Sequence, residues 1–348
     1  MATKTEILDT IFDQDPTAAE RKKDHIELAL KARTTGNLLD DRFYYEPLMG
    51  SMEHQYTPVQ FLGKSFNYPI WISSMTGGTE MAPLINRNLA RLCNDFNLGM
   101  GLGSCRQLLY SDEFFKDFDV RNTIGDRPFY ANLGIAQVET LIEANEVDRI
   151  PLMIRKLRAD GLIIHVNPMQ EWMQPEGDII KHPPIDTIQE LMNQINLPII
   201  VKEVGQGMGP ASLRALMALP LEAIDFGAFG GTNFSTLELM RQSEEVAYKE
   251  AFTYVGHTAS EMCAYIREIV KKHPEEINCK QIIISGGILD YLDGYYLMAQ
   301  TDMPSIFGQA SAFLKHAMGD YEPLLKYMKN VAHGLDMAQA FLKPKPQL

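Results

Sequence analysis

From about Pro69 onward, short apolar runs alternate with stretches whose apolar residues recur every three or four positions. The runs predict strands over Pro69–Ser73, Asn97–Gly101, Pro128–Asn132, Gly161–His165, Pro198–Lys202, Ala223–Gly227, Gln281–Ser285 and Pro304–Gly308. Several are almost wholly apolar, such as Leu197-Pro-Ile-Ile-Val201 and Gln281-Ile-Ile-Ile284, which suits strands covered on both faces, as in a parallel sheet. Between them, Ile85, Leu89, Leu92 and Phe96 predict a helix after Pro83. Met262, Ile266, Ile269 and Val270 predict another, which His273-Pro274 ends. Ser235…Glu238 and Thr258…Glu261 have the spacing of capping boxes. Eight strands, each followed by a helix or a long excursion, is the count of an α/β fold of the (β/α)8 TIM-barrel kind. A doubly wound sheet is the structural alternative. Residues 1–60 fall outside the alternation and read as an N-terminal arm or lid, and 61–348 as one barrel domain.

The chain has 348 residues, 45% hydrophobic and 22% charged, which excludes disorder and collagen-like repeats. A net charge of −13 argues against a nucleic-acid partner while leaving room for a local basic pocket that binds one phosphorylated metabolite. Cys93, Cys105, Cys263 and Cys279 show no metal-ligand spacing and read as free thiols of a reducing compartment. Residues 1–20 carry acids and no apolar core of a signal peptide, and no apolar run approaches the roughly 18 residues that span a bilayer. The expectation is a soluble, cytoplasmic protein without a membrane partner.

Candidate chemistry clusters just after the predicted strands, where a barrel places its active site. The pairs Gly77-Gly78, Gly230-Gly231 and Gly286-Gly287 allow close backbone approach to a ligand and form nests for phosphate oxygens; a tight strand-to-helix turn is the alternative for each. Lys202 ends an apolar strand, where it must meet a charge partner or solvent, and it suits an anionic cofactor ring or a Schiff base as well as a simple pair with Glu203. His165, Asn167, Gln170 and Glu171 crowd one loop. One carboxylate beside amide groups suits magnesium rather than zinc, although Asn-Pro also suits a solvated turn. Arg21-Lys-Lys-Asp-His25 in the arm and Arg106 after Gly103-Ser104 offer phosphate-binding cations, or in the arm a solvated helix face. Asn132 could hydrogen-bond a heterocycle or cap the next helix.

Read together, these segments resemble the type 2, flavin-dependent isopentenyl-diphosphate isomerases. The matching stretches are Arg21-Lys-Lys-Asp-His-Ile26, Ser74-Met-Thr-Gly-Gly78, Gly103-Ser-Cys-Arg106 and Asn132-Leu-Gly134. They continue with His165-Val-Asn-Pro-Met-Gln-Glu171, Pro175-Glu-Gly-Asp178, Val201-Lys-Glu-Val-Gly205, Gly230-Gly-Thr-Asn233 and Ser285-Gly-Gly-Ile288. The stretches running from His165 to Glu171 and from Val201 to Gly205 are the most specific, because other flavin barrels share the glycine pairs but not these.

The resemblance implies a barrel that binds FMN, Mg2+ and isopentenyl diphosphate, with NADPH as reductant and dimethylallyl diphosphate as product. It implies FMN contacts at Met75, Thr76, Ser104, Asn132, Lys202, Thr232, Gly286 and Gly287, with Gln309 and Ala310 in a further flavin-phosphate segment. The diphosphate would fall to Arg21, Lys22, His25, Arg106, His165 and Asn167, the isoprenoid carbons to Gln170 and the metal to Glu171. Gln170 and Lys202 are the catalytic candidates, and a homotetramer or octamer is implied. Two positions depart from the family: Leu289 stands where arginine usually contacts the flavin phosphate, and Tyr254-Val-Gly-His-Thr258 replaces Trp-Gly-Ile-Pro-Thr. The competing readings are a flavin-barrel oxidoreductase of the hydroxy-acid oxidase type and a non-catalytic flavin- or diphosphate-binding protein.

Overall fold

The computed structural model describes residues 18–73, 76–77, 79–241 and 248–346. Two units make up the chain, Met1–Arg42 and Phe43–Leu348. The described part of the first forms a helix over Ala18–Ala29 and a single 3-10 turn at Gly36–Leu38. Strands of the second are numbered in chain order. β1 (Phe43–Tyr45) pairs antiparallel with the last, β12 (Leu342–Pro344), and β2 (Val59–Phe61) with β3 (Lys64–Phe66) forms a hairpin.

The remaining strands close a parallel barrel: β4 (Ile70–Ser73), β5 (Gly99–Gly101), β6 (Phe129–Gly134), β7 (Gly161–Val166), β8 (Ile199–Glu203), β9 (Ala223–Asp225), β10 (Ile282–Ser285) and β11 (Ser305–Gln309). They neighbour one another in chain order, and β11 returns to β4. The (β/α)8 expectation is met, and the doubly wound alternative is not. Four strand starts show how the sequence sets this frame. A proline has no N–H to give a ladder, so it can stand only where a carbonyl alone is needed. Pro69, Pro128, Pro198 and Pro304 each accept one bond there, from Phe307, Met100, Leu162 and Ile282 respectively.

Alternation along the strands divides the core in two. Outward residues such as Ile72, Leu133, Ile164, Val201, Ile224 and Ile284 pack with the surrounding helices. Inward residues Trp71, Tyr130, Ile163, Ile200, Ala223, Ile283 and Ile306 form a separate apolar layer with Phe61 and Phe66 of the β2–β3 hairpin, which plugs the amino-terminal end of the barrel. Gly99 belongs to this packing, since a Cβ there would lie 2.6 Å from the Trp71 ring.

Local capping matches the sequence at one position and departs at another. Thr258 and Glu261 form the expected capping box on helix Ala259–Lys272. Ser235…Glu238 does not form one: Asn233 caps helix Phe234–Met240 through the Thr236 amide. Ser235 lies inside that helix and donates its hydroxyl to Gln206 instead, at 2.7 Å. No described helix is long and apolar enough to cross a membrane. All four cysteines are free and buried.

Candidate active site

Two residues above the apolar layer, the inward positions turn polar: Ser73, Asn132, His165, Lys202, Asp225, Ser285 and Gly308. All but Asp225 line a cavity of about 570 Å³ at the carboxyl end of the barrel, a size typical of small-molecule sites. Ser104, Gln170, Thr232, Gly286, Gly287, Gln309 and Ala310 line it as well.

One wall is backbone. Gly286 and Gly287 have φ of +83° and +70°, which strongly disfavours side-chain-bearing residues there. A Cβ at Gly286 would come within 2.1 Å of the Ala228 carbonyl oxygen, and one at Gly230 within 3.1 Å of the Gly287 Cα. The loops after β9 and β10 thus meet without side chains between them. Gln309 ties the next loop to this wall, donating from Nε2 to the Ile288 carbonyl at 3.2 Å.

Across the cavity, Asn132 donates from Nδ2 to the Leu102 carbonyl at 2.9 Å, which aims its Oδ1 at Nδ1 of His165, 2.8 Å away. An acceptor in that place fixes the proton on Nδ1 and leaves Nε2 as a lone pair. Burial, with Lys202 nearby, brings the His165 pKa down to about 4, so the ring is neutral at physiological pH. Lys202 donates to the Glu203 carbonyl at 2.8 Å. The Glu203 carboxylate turns away to the amides of Gly205, Gln206 and Gly207, at 2.7, 2.6 and 2.9 Å, and holds the loop after β8.

The helix Pro168–Met173 follows β7 at once and sets Asn167, Gln170 and Glu171 together. Asn167 Nδ2 donates to Glu171 Oε1 at 2.9 Å and to Gln170 Oε1 at 3.2 Å. Glu171 Oε2 accepts from the Asp178 amide at 2.8 Å, and Arg106 pairs with the Asp178 carboxylate at 2.9 Å. This brings Arg106, Asn167, Gln170 and Glu171 into one network. Gly177 is required beside it, since a Cβ would fall 1.9 Å from the Glu171 carbonyl oxygen. Thr76 does not line the cavity, but its backbone packs on Gly103, where a Cβ would lie 2.8 Å from the Thr76 nitrogen. Arg21, Lys22 and His25 lie on helix Ala18–Ala29 of the first unit. Met75 lies outside the described residues.

Two unpartnered buried atoms point to ligands. Ser73 Oγ and Asn167 Oδ1 have no hydrogen-bond partner, and each belongs to a residue at most 8% exposed. Ser73 lines the cavity beside the glycine wall. Asn167 turns its Nδ2 to the Glu171 carboxylate and leaves its own Oδ1 without a partner; an amide oxygen and a carboxylate are both donor types that magnesium accepts. Among the described residues the one cluster of three metal-type ligands, His273, Glu275 and Glu276, lies elsewhere.

The sequence marks Glu238 only as a capping-box partner, and does not mark Gln206, Asp225 or Lys315 as residues of the site at all. Glu238, 2% exposed, accepts from Gln170 at 3.2 Å, Gln174 at 2.9 Å and Arg241 at 2.6 Å, and so holds the Gln170 amide. Gln206 donates to the carbonyls of Phe252 and Val255 at 3.0 and 2.6 Å and accepts from Ser235, joining the divergent 254–258 segment to the loop after β8. Lys315 is, with Lys202, one of two lysines among the described lining residues, which include no arginine. Leu289 lines the same cavity while 81% exposed.

Comparison with known proteins places the chain as a whole. No family model matches the chain. It is 34% identical over 305 residues to the isopentenyl-diphosphate delta-isomerase of Rickettsia africae, covering 86% of each chain. It is 32% identical over 314 residues to the protein of that name from Rickettsia typhi, covering 88% of each. Among solved structures, a mutant flavocytochrome b2 with pyruvate bound has a TM-score of 0.61 at 12% identity, covering 86% of this chain and 72% of that one. A mandelate oxidase mutant with a monooxide FMN adduct has a TM-score of 0.56 at 11% identity, covering 88% and 89%. These two likenesses concern the barrel alone.

Proposed function

The chain belongs to the isopentenyl-diphosphate delta-isomerases, and from that premise we propose that its cavity works with reduced FMN, Mg2+ and a diphosphate. The enzyme interconverts isopentenyl and dimethylallyl diphosphate, which requires a proton added at one carbon and removed from another. One observation carries the cofactor reading. Among the described lining residues there is no carboxylate, and the one histidine is held neutral with its Nδ1 proton committed to Asn132. The cavity therefore lacks a side-chain acid able to protonate an unactivated alkene. Reduced FMN, when bound, supplies the proton donor and acceptor that the side chains lack.

The protein's own part is charge and position. Lys202 places a cation in the lumen, where it favours a negatively charged ring. Ser73, Ser104, Asn132 and Thr232 offer hydrogen bonds around the cavity, and the Gly286–Gly287 wall with Gln309 and Ala310 admits a phosphate close to backbone. Thr76 and Met75 complete the flavin-binding set of this reading. Asn167 and Glu171 would hold Mg2+, and Arg106 with Arg21, Lys22 and His25 would fix the diphosphate, joined by His165 once the bound anion restores a proton to its Nε2. Gln170, anchored by Glu238, would lie against the isoprenoid carbons. NADPH as reductant, a cytoplasmic location and a homo-oligomeric state belong to the same reading. A hydroxy-acid oxidase would want a histidine base and arginines for a carboxylate. Among the described residues, the stretch lining the cavity after β10 and β11 supplies Leu289 and Lys315 but neither residue type.

The decisive experiment is stoichiometric. Under anaerobic conditions with FMN, Mg2+ and isopentenyl diphosphate, one round of reduction by NADPH or dithionite should support many molecules of dimethylallyl diphosphate. Oxygen should stop the reaction, and product formed in deuterated water should carry deuterium. Consumption of one NADPH per product would overturn the reading.

A further inference from the structure

The polar layer of the barrel contains a charge that the proposed function leaves unused. Asp225 ends β9, is 0% exposed and does not reach the cavity surface. Its Oδ1 accepts the Ser285 hydroxyl, which in turn accepts from the Gly227 amide at 2.9 Å, so the carboxylate is oriented from two neighbouring turns of chain. Oδ2 has no hydrogen-bond partner. A buried carboxylate oxygen without a donor is costly unless a cation answers it.

The layer offers one cation. In register, Lys202 of β8 stands opposite Asp225 on one side and His165 of β7 on the other. His165 gives its Nδ1 proton to Asn132 and is neutral. From β10 the facing group is the Ser285 hydroxyl, and from β4, β6 and β11 the layer holds Ser73, Asn132 and Gly308, none of them charged. The adjacent Glu203 spends its carboxylate on the Gly205–Gly207 amides. Among the described residues of this layer Lys202 and Asp225 are thus the only ionisable groups besides the neutral His165, and they stand on adjacent strands; burial pushes the Asp225 carboxyl up, and Lys202 ahead of Ser285 pulls it back.

We propose that Asp225 is the counter-ion of Lys202, a positioning residue that acts from the adjacent strand without a direct salt bridge and keeps the lysine charged in the lumen, while Ser285 holds one carboxylate oxygen. What the pair does for a bound flavin rests on the proposed function. The pairing itself is tested in the flavin-free full chain, so the two can fail separately.

Lysines carrying 13C-methyl groups report their own titration by NMR, with the Lys202 signal identified by its loss in Lys202→Arg. In Asp225→Asn the Lys202 titration should move to lower pH by about one to three pH units, the usual effect of removing a close opposite charge. An unmoved titration in folded Asp225→Asn overturns the pairing. Should that variant not fold, Lys202→Met provides the second measurement. Asp225 left alone would prefer its proton, so the melting temperature of Lys202→Met relative to the parent should fall as pH rises from 5 to 8. A difference that stays constant over that range overturns the pairing equally.

Discussion

Asn132 decides what His165 can be. With Nδ2 committed to Leu102, its oxygen can only accept, and the imidazole is neutral with a lone pair on Nε2. Burial first, and Lys202 second, hold the ring at about 4, whereas an unfolded histidine titrates near 6.5. As pH falls, the unfolded chain takes up this proton before the folded one. The stability contributed is therefore complete above about 6.5 and lost on the way down to about 4. Urea unfolding at pH 7 and pH 4.5 should show a larger loss for the parent than for His165→Gln, and equal losses would contradict the assignment. Glu171 tests the other half of the site. Its carboxylate accepts from Asn167, whose own oxygen has no partner, so Glu171→Gln should lower the affinity for magnesium and diphosphate together while leaving FMN titration nearly unchanged. Equal magnesium dependence in the two proteins would remove the metal role. Most of these residues were legible because they follow strands within short motifs. Asp225 and Glu238 were not, because what distinguishes them is burial and partners from distant segments, Ser285 for one and Gln170 for the other.

The barrel strands were the most legible elements, since a strand covered on both faces must be apolar at nearly every position. Their ends were less so. The apolar run predicts a strand from Asn97, yet Asn97 takes a left-handed conformation as the cap of helix Ala82–Phe96, and β5 begins at Gly99. Gly227 likewise leaves β9 with φ of +50°. The polar layer was visible in principle as a step of two from Ile163 to His165, Ile200 to Lys202 and Ile283 to Ser285, but only closure of the barrel places those steps side by side. Capping shows the same limit. Both S/T-x-x-E stretches have the right spacing, and only Thr258 finds its helix start; Ser235 is drawn to Gln206, and Asn233 caps in its place. Thr258→Ala should accordingly destabilise the protein by about 1 kcal/mol in urea unfolding. A cost indistinguishable from zero would mean that the bridge between Phe229 and Thr258, rather than the cap, sets the start of that helix.

One stretch of surface is ordered and apolar at once. Residues 43–57 are pinned along the final helix, Tyr321–Phe341: β1 pairs with β12, the Tyr56 amide donates to Asp336 at 2.8 Å, and the Thr57 amide donates to Gln339 at 2.7 Å. Gly50 lies so close that a Cβ would fall 2.3 Å from the Ala340 carbonyl oxygen. Yet the side chains this tether presents are Tyr44, Tyr45, Leu48, Met49 and Met52, all more than half exposed and Leu48 92% exposed. A loop that needed only to connect could keep such residues turned inward or polar, and five large apolar side chains exposed within nine residues is more than a connection requires. On the homo-oligomeric reading proposed above, a second copy of the chain would occupy such a fixed surface, because a homo-oligomer interface resembles a divided core. Light scattering coupled to size exclusion should therefore give a mass that is a multiple of the chain mass. Leu48→Glu with Met49→Glu should lower that mass while circular dichroism and the barrel's urea unfolding remain close to the parent's. A parent protein that runs as a monomer at micromolar concentration, or a double variant whose assembly is unchanged, would show that this surface serves something other than self-association.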